Sequence, residues 1–103
     1  MKLADFKTMP RDGFPTTNQW VLDFGKYHLS VITGGYGRAE APYEIAVFAA
    51  NDGVSQGFVQ LPGITGPDDD VRGYMTEEEV NAVIVKLFTI TGNVPVQTTD
   101  KIN

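Results

Sequence analysis

Cysteine is absent from the 103 residues, and histidine and tryptophan occur once each, as His28 and Trp20. Only two serines are present, Ser30 and Ser55. Without thiols there is no disulfide, no thiolate nucleophile and no Cys-ligated zinc or iron–sulfur centre. Their absence is compatible with a reducing compartment. No apolar run reaches the 18 residues of a membrane-spanning helix. The opening Met1-Lys2-Leu3-Ala4-Asp5-Phe6-Lys7 lacks the continuous apolar stretch of a signal peptide. The expected location is therefore the cytoplasm. Positive charge is also scarce, with 8 Lys and Arg against 13 Asp and Glu and a net charge of −5. The phosphates of a nucleic acid would need a basic face, so no nucleic-acid partner is expected.

The charge is unevenly placed: residues 1–38 carry a net +2, residues 39–79 a net −8, and residues 80–103 a net +1. That middle suits a basic protein partner, a metal ion or a solvated acidic face. Its nine acidic side chains are sparse for a mimic of duplex DNA, which carries one charge per ~1.7 Å. Hydrophobic residues make up 42% and aromatics 11%, enough for one globular core in a single domain spanning 1–103.

Within that domain, residues 1–19 read as irregular, because Pro10, Gly13 and Pro15 interrupt any long element. Leu3, Phe6 and Met9 are candidates to cover part of the core. Residues 20–61 read as a β-meander. Gly25-Lys26 between two apolar runs predicts a II′ hairpin in which Phe24 faces Tyr27, Leu22 faces Leu29 and Trp20 faces Val31. All six share one apolar side, while Asp23 and His28, with Val21 and Ser30, share a mixed one. Gly34 to Pro42 reads as a loop, Tyr43 to Ala50 as a third strand, and Asn51-Asp52-Gly53 as a turn into a fourth strand near Val54–Leu61. Gly57 signals a bulge there.

Residues 62–75 form an acidic loop, and the helix that follows is strongly specified. Thr76 and Glu79 make a capping box, Met75 and Val80 a hydrophobic staple, and Glu77, Glu78 and Glu79 face the positive end of the dipole. The helix runs from Glu77 to about Thr91 with Gly92 as its stop, within a segment 76–92. The tail 93–103 either adds a short strand, Val94 to Thr98, or frays. The expected fold is α+β: a four-stranded antiparallel meander with one C-terminal helix packed on its apolar face, above Trp20, Leu22, Leu29, Val31, Ile45 and Val47.

Three constellations bear on chemistry. Asp68 to Glu79, laid over a twelve-residue calcium loop, puts Asp68 and Asp70 at positions 1 and 3, Gly73 at 6 and Glu79 at the bidentate position 12. Arg72 at position 5 opposes a cation. Asp68, Asp70 and Glu79 are thus candidate metal ligands, and Asp68, Asp69 and Asp70 equally a candidate contact for a basic partner. The polar hairpin side invites an Asp23/His28/Ser30 triad. His28 and Ser30, two apart on one strand, are separated by roughly 6.5–7 Å, too far for a nucleophile and its base. A cross-strand Asp23–His28 pair stabilising the hairpin is the reading preferred here. Gly34-Gly35-Tyr36-Gly37-Arg38 matches neither the dinucleotide fingerprint nor a P-loop, and offers Tyr36 and Arg38 as interface anchors.

Several segments together, Tyr27-His28-Leu29-Ser30-Val31, Tyr43 to Phe48 leading into Asp52-Gly53, Leu61 to Thr65, and Asp70-Val71-Arg72-Gly73-Tyr74 before an acidic helix, carry a resemblance. The stretch from Trp20 to Gly92 resembles small accessory proteins of tailed phages. The resemblance implies an accessory role in the host cytoplasm and brings neither an assigned activity nor functional residues. Sequence and resemblance together lead to the expectation of a non-enzymatic protein-binding domain that modulates or inhibits a host or phage protein, without a cofactor. A calcium-binding domain is the alternative, and a small enzyme acting through carboxylates or His28 the third.

Overall fold

The computed structural model describes residues 1–11 and 14–98. A 3₁₀ turn (Leu3–Asp5) precedes strands β1 (Met9–Arg11), β2 (Phe14–Asp23), β3 (Tyr27–Arg38), β4 (Ala41–Asn51), β5 (Val54–Phe58) and β6 (Val71–Met75). Helix α1 (Glu77–Thr91) and strand β7 (Val96–Gln97) complete the chain. All strand pairs are antiparallel, and β2-β3-β4-β5 is the expected meander. The register is also as expected, with Trp20 opposite Val31 and Leu22 opposite Leu29. In the second hairpin Asp52 (φ +51°) and Gly53 (φ +78°) supply the two left-handed residues of a tight turn.

Four strands is too low a count: the described residues form seven in one sheet. Strands β1 and β7 share the outer edge of β2, and β5 and β6 share that of β4. The extra strands are short and borrow their order from a long partner. Strand β1 contains Pro10, β6 contains Gly73, and β7 has two residues, within the predicted Val94–Thr98. None carries an alternation that a sequence reading could detect. The supposedly irregular segment 1–19 therefore holds β1 and the first half of β2. The supposed loop 34–42 is mostly strand: β3 continues through its glycines to Arg38 and absorbs them in a bulge between Thr33 and Arg38. The part of the expected tail from 99 onward lies outside the described residues.

Helix α1 is built as its sequence specifies. Thr76 Oγ1 accepts from the Glu79 N–H (3.1 Å), Glu79 Oε1 accepts from the Thr76 N–H (3.0 Å), and left-handed Gly92 donates its N–H to Phe88 O (2.7 Å). Val80, Val83, Ile84 and Leu87 meet Leu22, Phe24, Leu29, Val31, Ile45 and Val47 in the core, joined by Leu3, Ile64 and Met75. Burial of each such side chain contributes about 1.5–3 kcal/mol. Trp20, expected beneath the helix, is only partly buried and meets Tyr43 edge-on at 5.9 Å.

The other side of the sheet departs from expectation. Val21, His28, Ser30, Ile32, Ala46, Phe48 and Gln19 are all buried there, although among the described residues no helix covers them. The sheet curls instead. The bulged end of β3 crosses β4 to meet β6, with the Tyr36 N–H donating to Glu44 Oε1 (2.8 Å). A Cβ at Gly73 would lie 2.5 Å from Tyr36 Cβ and 2.6 Å from its carbonyl oxygen, so only glycine permits this crossing. Lower down, Phe58 stacks against Phe48 at 4.5 Å. The trough beneath encloses a cavity of about 60 Å³ bordered by Arg11, Gln19, Ser30, Phe48, Phe58 and Val71.

Candidate functional site

The acidic residues do not assemble a calcium loop. Val71–Met75, which would have to wrap the ion, is instead held against β4 as a strand that leads from Asp70 to the helix. Glu79 has both oxygens engaged: Oε1 by the Thr76 N–H and Oε2 facing Arg72 at 3.6 Å. The Thr76 backbone N–H, then its hydroxyl, with Arg72 beyond, hold the Glu79 carboxyl below its ordinary range. Asp70 Oδ1 accepts from Gln60 Nε2 (3.2 Å), and the Asp68 N–H donates to Gln60 Oε1 (3.3 Å). Among the described residues no three His, Cys, Asp or Glu side chains are grouped to hold a metal ion. Asp68, Asp69 and Asp70 remain exposed, where a partner could reach them.

Tyr36 and Arg38, by contrast, are brought together with a residue the sequence reading passed over. In β6 three residues, Arg72 to Met75, advance against two of β4, Ile45 to Tyr43, and this second bulge turns Tyr74 outward. Tyr74 takes φ +54°, a left-handed conformation uncommon for a bulky side chain and costing about 1–2 kcal/mol. Its ring is 51% exposed, and the Arg38 guanidinium lies 5.0 Å from the ring centroid. Tyr36, 62% exposed, stands on the arch that crosses Gly73. A shallow concavity of about 260 Å³ lined by Gly34, Gly35, Gly37, Arg38, Ala39 and Pro42 opens beside it. Two exposed tyrosines and a stacked arginine are the residue types that anchor protein interfaces. Nothing in the sequence marks Tyr74, because its left-handed backbone is a property of the folded strand.

The structure also revises the polar side of the first hairpin. Asp23 and His28 face each other across the strands as expected, Oδ1 to Nε2 at 3.4 Å, although the buried Nε2 completes no hydrogen bond among the described residues. Ser30 is not the third member: its Oγ accepts from Gln19 Nε2 (3.1 Å). The other ring nitrogen, His28 Nδ1, lies 2.6 Å from Ser55 Oγ on β5. Strands β3 and β5 flank β4, roughly 10 Å apart. On β4 between them, Phe48 is opposite His28 and packs its ring on Phe58, while the small Ala50 is opposite Ser55 and leaves room for the contact. The Asp52-Gly53 turn fixed this register in the sequence, so the contact was in principle legible.

Comparison with protein families, curated proteins and solved structures gave no match. Function is therefore argued from geometry. Among the described residues, no helix is long and apolar enough to cross a membrane.

Proposed function

We propose that the chain is a binding protein that engages another protein, of the host or of a phage, and modulates or inhibits it by occupying its surface. The contact is the Tyr36–Arg38–Tyr74 patch, which needs no chemistry of its own. Asp68, Asp69 and Asp70, at the start of the strand that carries Tyr74, suit a basic rim on the partner. The host cytoplasm is the expected setting.

Tyr74 carries the reading. An exposed aromatic ring held in a left-handed backbone costs stability that glycine would not, and it buries little apolar surface in return. Strain kept at an exposed, arginine-stacked ring is what a recognition surface explains and a packing role does not. The test is affinity capture from bacterial lysate with the tagged wild type, the Tyr36→Ala/Tyr74→Gly double variant, and the Asp68/Asp69/Asp70→Asn triple variant. A stoichiometric protein held by the wild type and lost by the double variant supports the reading. Loss of a hot-spot pair costs ≥ ~2 kcal/mol, or about 30-fold in affinity. Equal retention by the double variant refutes this patch as the contact.

A further inference from the structure

Beyond binding, and independently of the Tyr36–Arg38–Tyr74 patch, we propose that Ser55 is an activated nucleophile that takes acyl groups from small apolar esters, with His28 as its base and Asp23 positioning the ring. A neutral imidazole carries one proton on its two nitrogens. The Asp23 carboxylate at 3.4 Å from Nε2 is the charged group at the ring, with Ser55 from β5 and Phe48 from β4 its uncharged neighbours. A carboxylate favours the proton on the nitrogen it faces, which leaves Nδ1 as the acceptor of the Ser55 hydroxyl proton at 2.6 Å. This is the polarity of a nucleophile–base–orienter chain, with the two ring nitrogens exchanged relative to the usual serine-hydrolase arrangement. The Asp23 carboxylate is itself fixed, because its Oδ1 also accepts the Gly25 N–H at 2.7 Å. In the resting structure the buried Nε2, 3.4 Å from Asp23 Oδ1, makes no hydrogen bond among the described residues; the mechanism requires that this contact close with substrate bound, as catalytic contacts commonly do.

The hairpin also supplies an oxyanion donor. Asn51 and Val54 close the two-residue turn as a hydrogen-bonded pair, so the next pair, Ala50 and Ser55, is of the wide kind. Consistently, the Ala50 N–H points away from β5 and donates to Lys26 O (2.9 Å). By the same alternation the Ser55 N–H faces the open side of the edge strand, away from β4, and is available to a substrate approaching from that edge. A nucleophile's own backbone N–H is one of the donors that serine hydrolases use. Phe58, 52% exposed on the same side of the sheet and roughly 7 Å along from Ser55, offers an apolar seat for the acyl chain. In the step itself, Ser55 Oγ bonds to the carbonyl carbon and its proton passes to His28 Nδ1. The ester C–O bond then breaks and the departing alkoxide takes that proton, leaving acyl-Ser55 and an alcohol. Water then gives a proton to His28 Nδ1 as its oxygen bonds to the acyl carbon; the acyl–Oγ bond breaks, Ser55 Oγ takes that proton back, and a carboxylic acid leaves.

The experiment uses the full chain with p-nitrophenyl butyrate and a fluorophosphonate probe, mapping adducts by mass spectrometry. The expected result is a single adduct on Ser55, absent from Ser55→Ala. General-base assistance is typically worth ~10²–10⁴-fold, so His28→Gln should slow labelling at least about 100-fold. Circular dichroism establishes whether each variant is folded. Asp23→Ala should slow labelling of the folded chain and Asp23→Glu should restore part of the rate; a merely structural Asp23 would leave the labelling rate of a folded variant in place. No adduct on Ser55 of the folded wild type after prolonged exposure to millimolar probe overturns the proposal. So does labelling at the same rate in folded His28→Gln.

Discussion

Replacing Tyr74 with glycine separates what this residue does for the fold from what it does for recognition. Glycine relieves the left-handed backbone, worth about 1–2 kcal/mol at φ +54°. Against that, the Arg38 stack at 5.0 Å is lost, worth about 0.5–1 kcal/mol at an exposed site. The added freedom of glycine in the unfolded chain costs a further ~0.4–1 kcal/mol. These terms nearly cancel, so Tyr74→Gly should keep folding stability within about 1 kcal/mol of the wild type. For a domain near this size that is a melting-temperature change no larger than ~4–8 °C. Tyr74→Asn is the control, since asparagine tolerates the left-handed region while also removing the ring. Urea denaturation reads the stability, and titration calorimetry with the captured partner reads the binding. Stability close to the wild type, with affinity down at least about 30-fold, is the expected pair of results. A loss above ~3 kcal/mol in both variants would mean that the ring supports the fold, and the argument from strain would fail.

Other perturbations test the surrounding structure. Glu79 is held below the ordinary carboxylate range chiefly by the Thr76 N–H, so its charged form stabilises the folded helix start. That contribution is present above about pH 4.3 and is lost as pH falls through the lower folded value. Glu79→Gln should therefore flatten the acid limb of the stability curve, and carboxyl NMR should find Glu79 titrating below the ordinary glutamate range. Gly73→Ala should destabilise by about 1–3 kcal/mol in thermal melts, since the new methyl meets the Tyr36 backbone, which cannot swing aside as a flexible side chain would. Millimolar calcium should leave the melting temperature unchanged, because Asp68, Asp70 and Glu79 are not brought together. A stabilisation of ~2.7 kcal/mol, expected at 100 times Kd, would reveal a site.

Legibility followed the range of the interactions. The helix was readable to the residue because its signals are local: Thr76, Glu79 and Gly92 each act within four positions. The hairpin registers were readable because two-residue turns fix them, and with them the buried row Leu22, Leu29, Val31, Ile45 and Val47. Strand β6 was not readable. Val71-Arg72-Gly73-Tyr74-Met75 has neither alternation nor β-branched density, and it is a strand only because β4 offers it an edge. The curl of the sheet was hidden for the same reason: it depends on Tyr36 passing over Gly73, two residues 37 positions apart. Of the candidate site, Tyr36 and Arg38 were visible as residue types, while Tyr74 became visible only once its backbone was. Ser55 was overlooked because Ser30 sat closer in sequence, although the Asp52-Gly53 turn already carried the information that brings Ser55 to His28.

Strand β4 holds the two proposals apart. Its Tyr43 end pairs with Met75 beside the Tyr74 bulge, and its Ala50 end pairs with Ser55. Seven extended residues separate these ends by roughly 23 Å. Effects at sites more than ~7–10 Å apart with no shared partner are additive to within a few tenths of a kcal/mol. The two places also depart from local consistency in different ways: one is an exposed ring in a strained backbone, the other a buried imidazole between a carboxylate and a hydroxyl. Burying an imidazole is no route to extra stability, since at best its hydrogen bonds offset its desolvation, and an apolar side chain on the face shared with Val21 and Phe48 would do as well. Neither departure can therefore be the structural consequence of the other, and each needs its own explanation. A chain whose Ser55 never labels can still bind through Tyr74, and a chain that captures no partner can still carry a reactive Ser55.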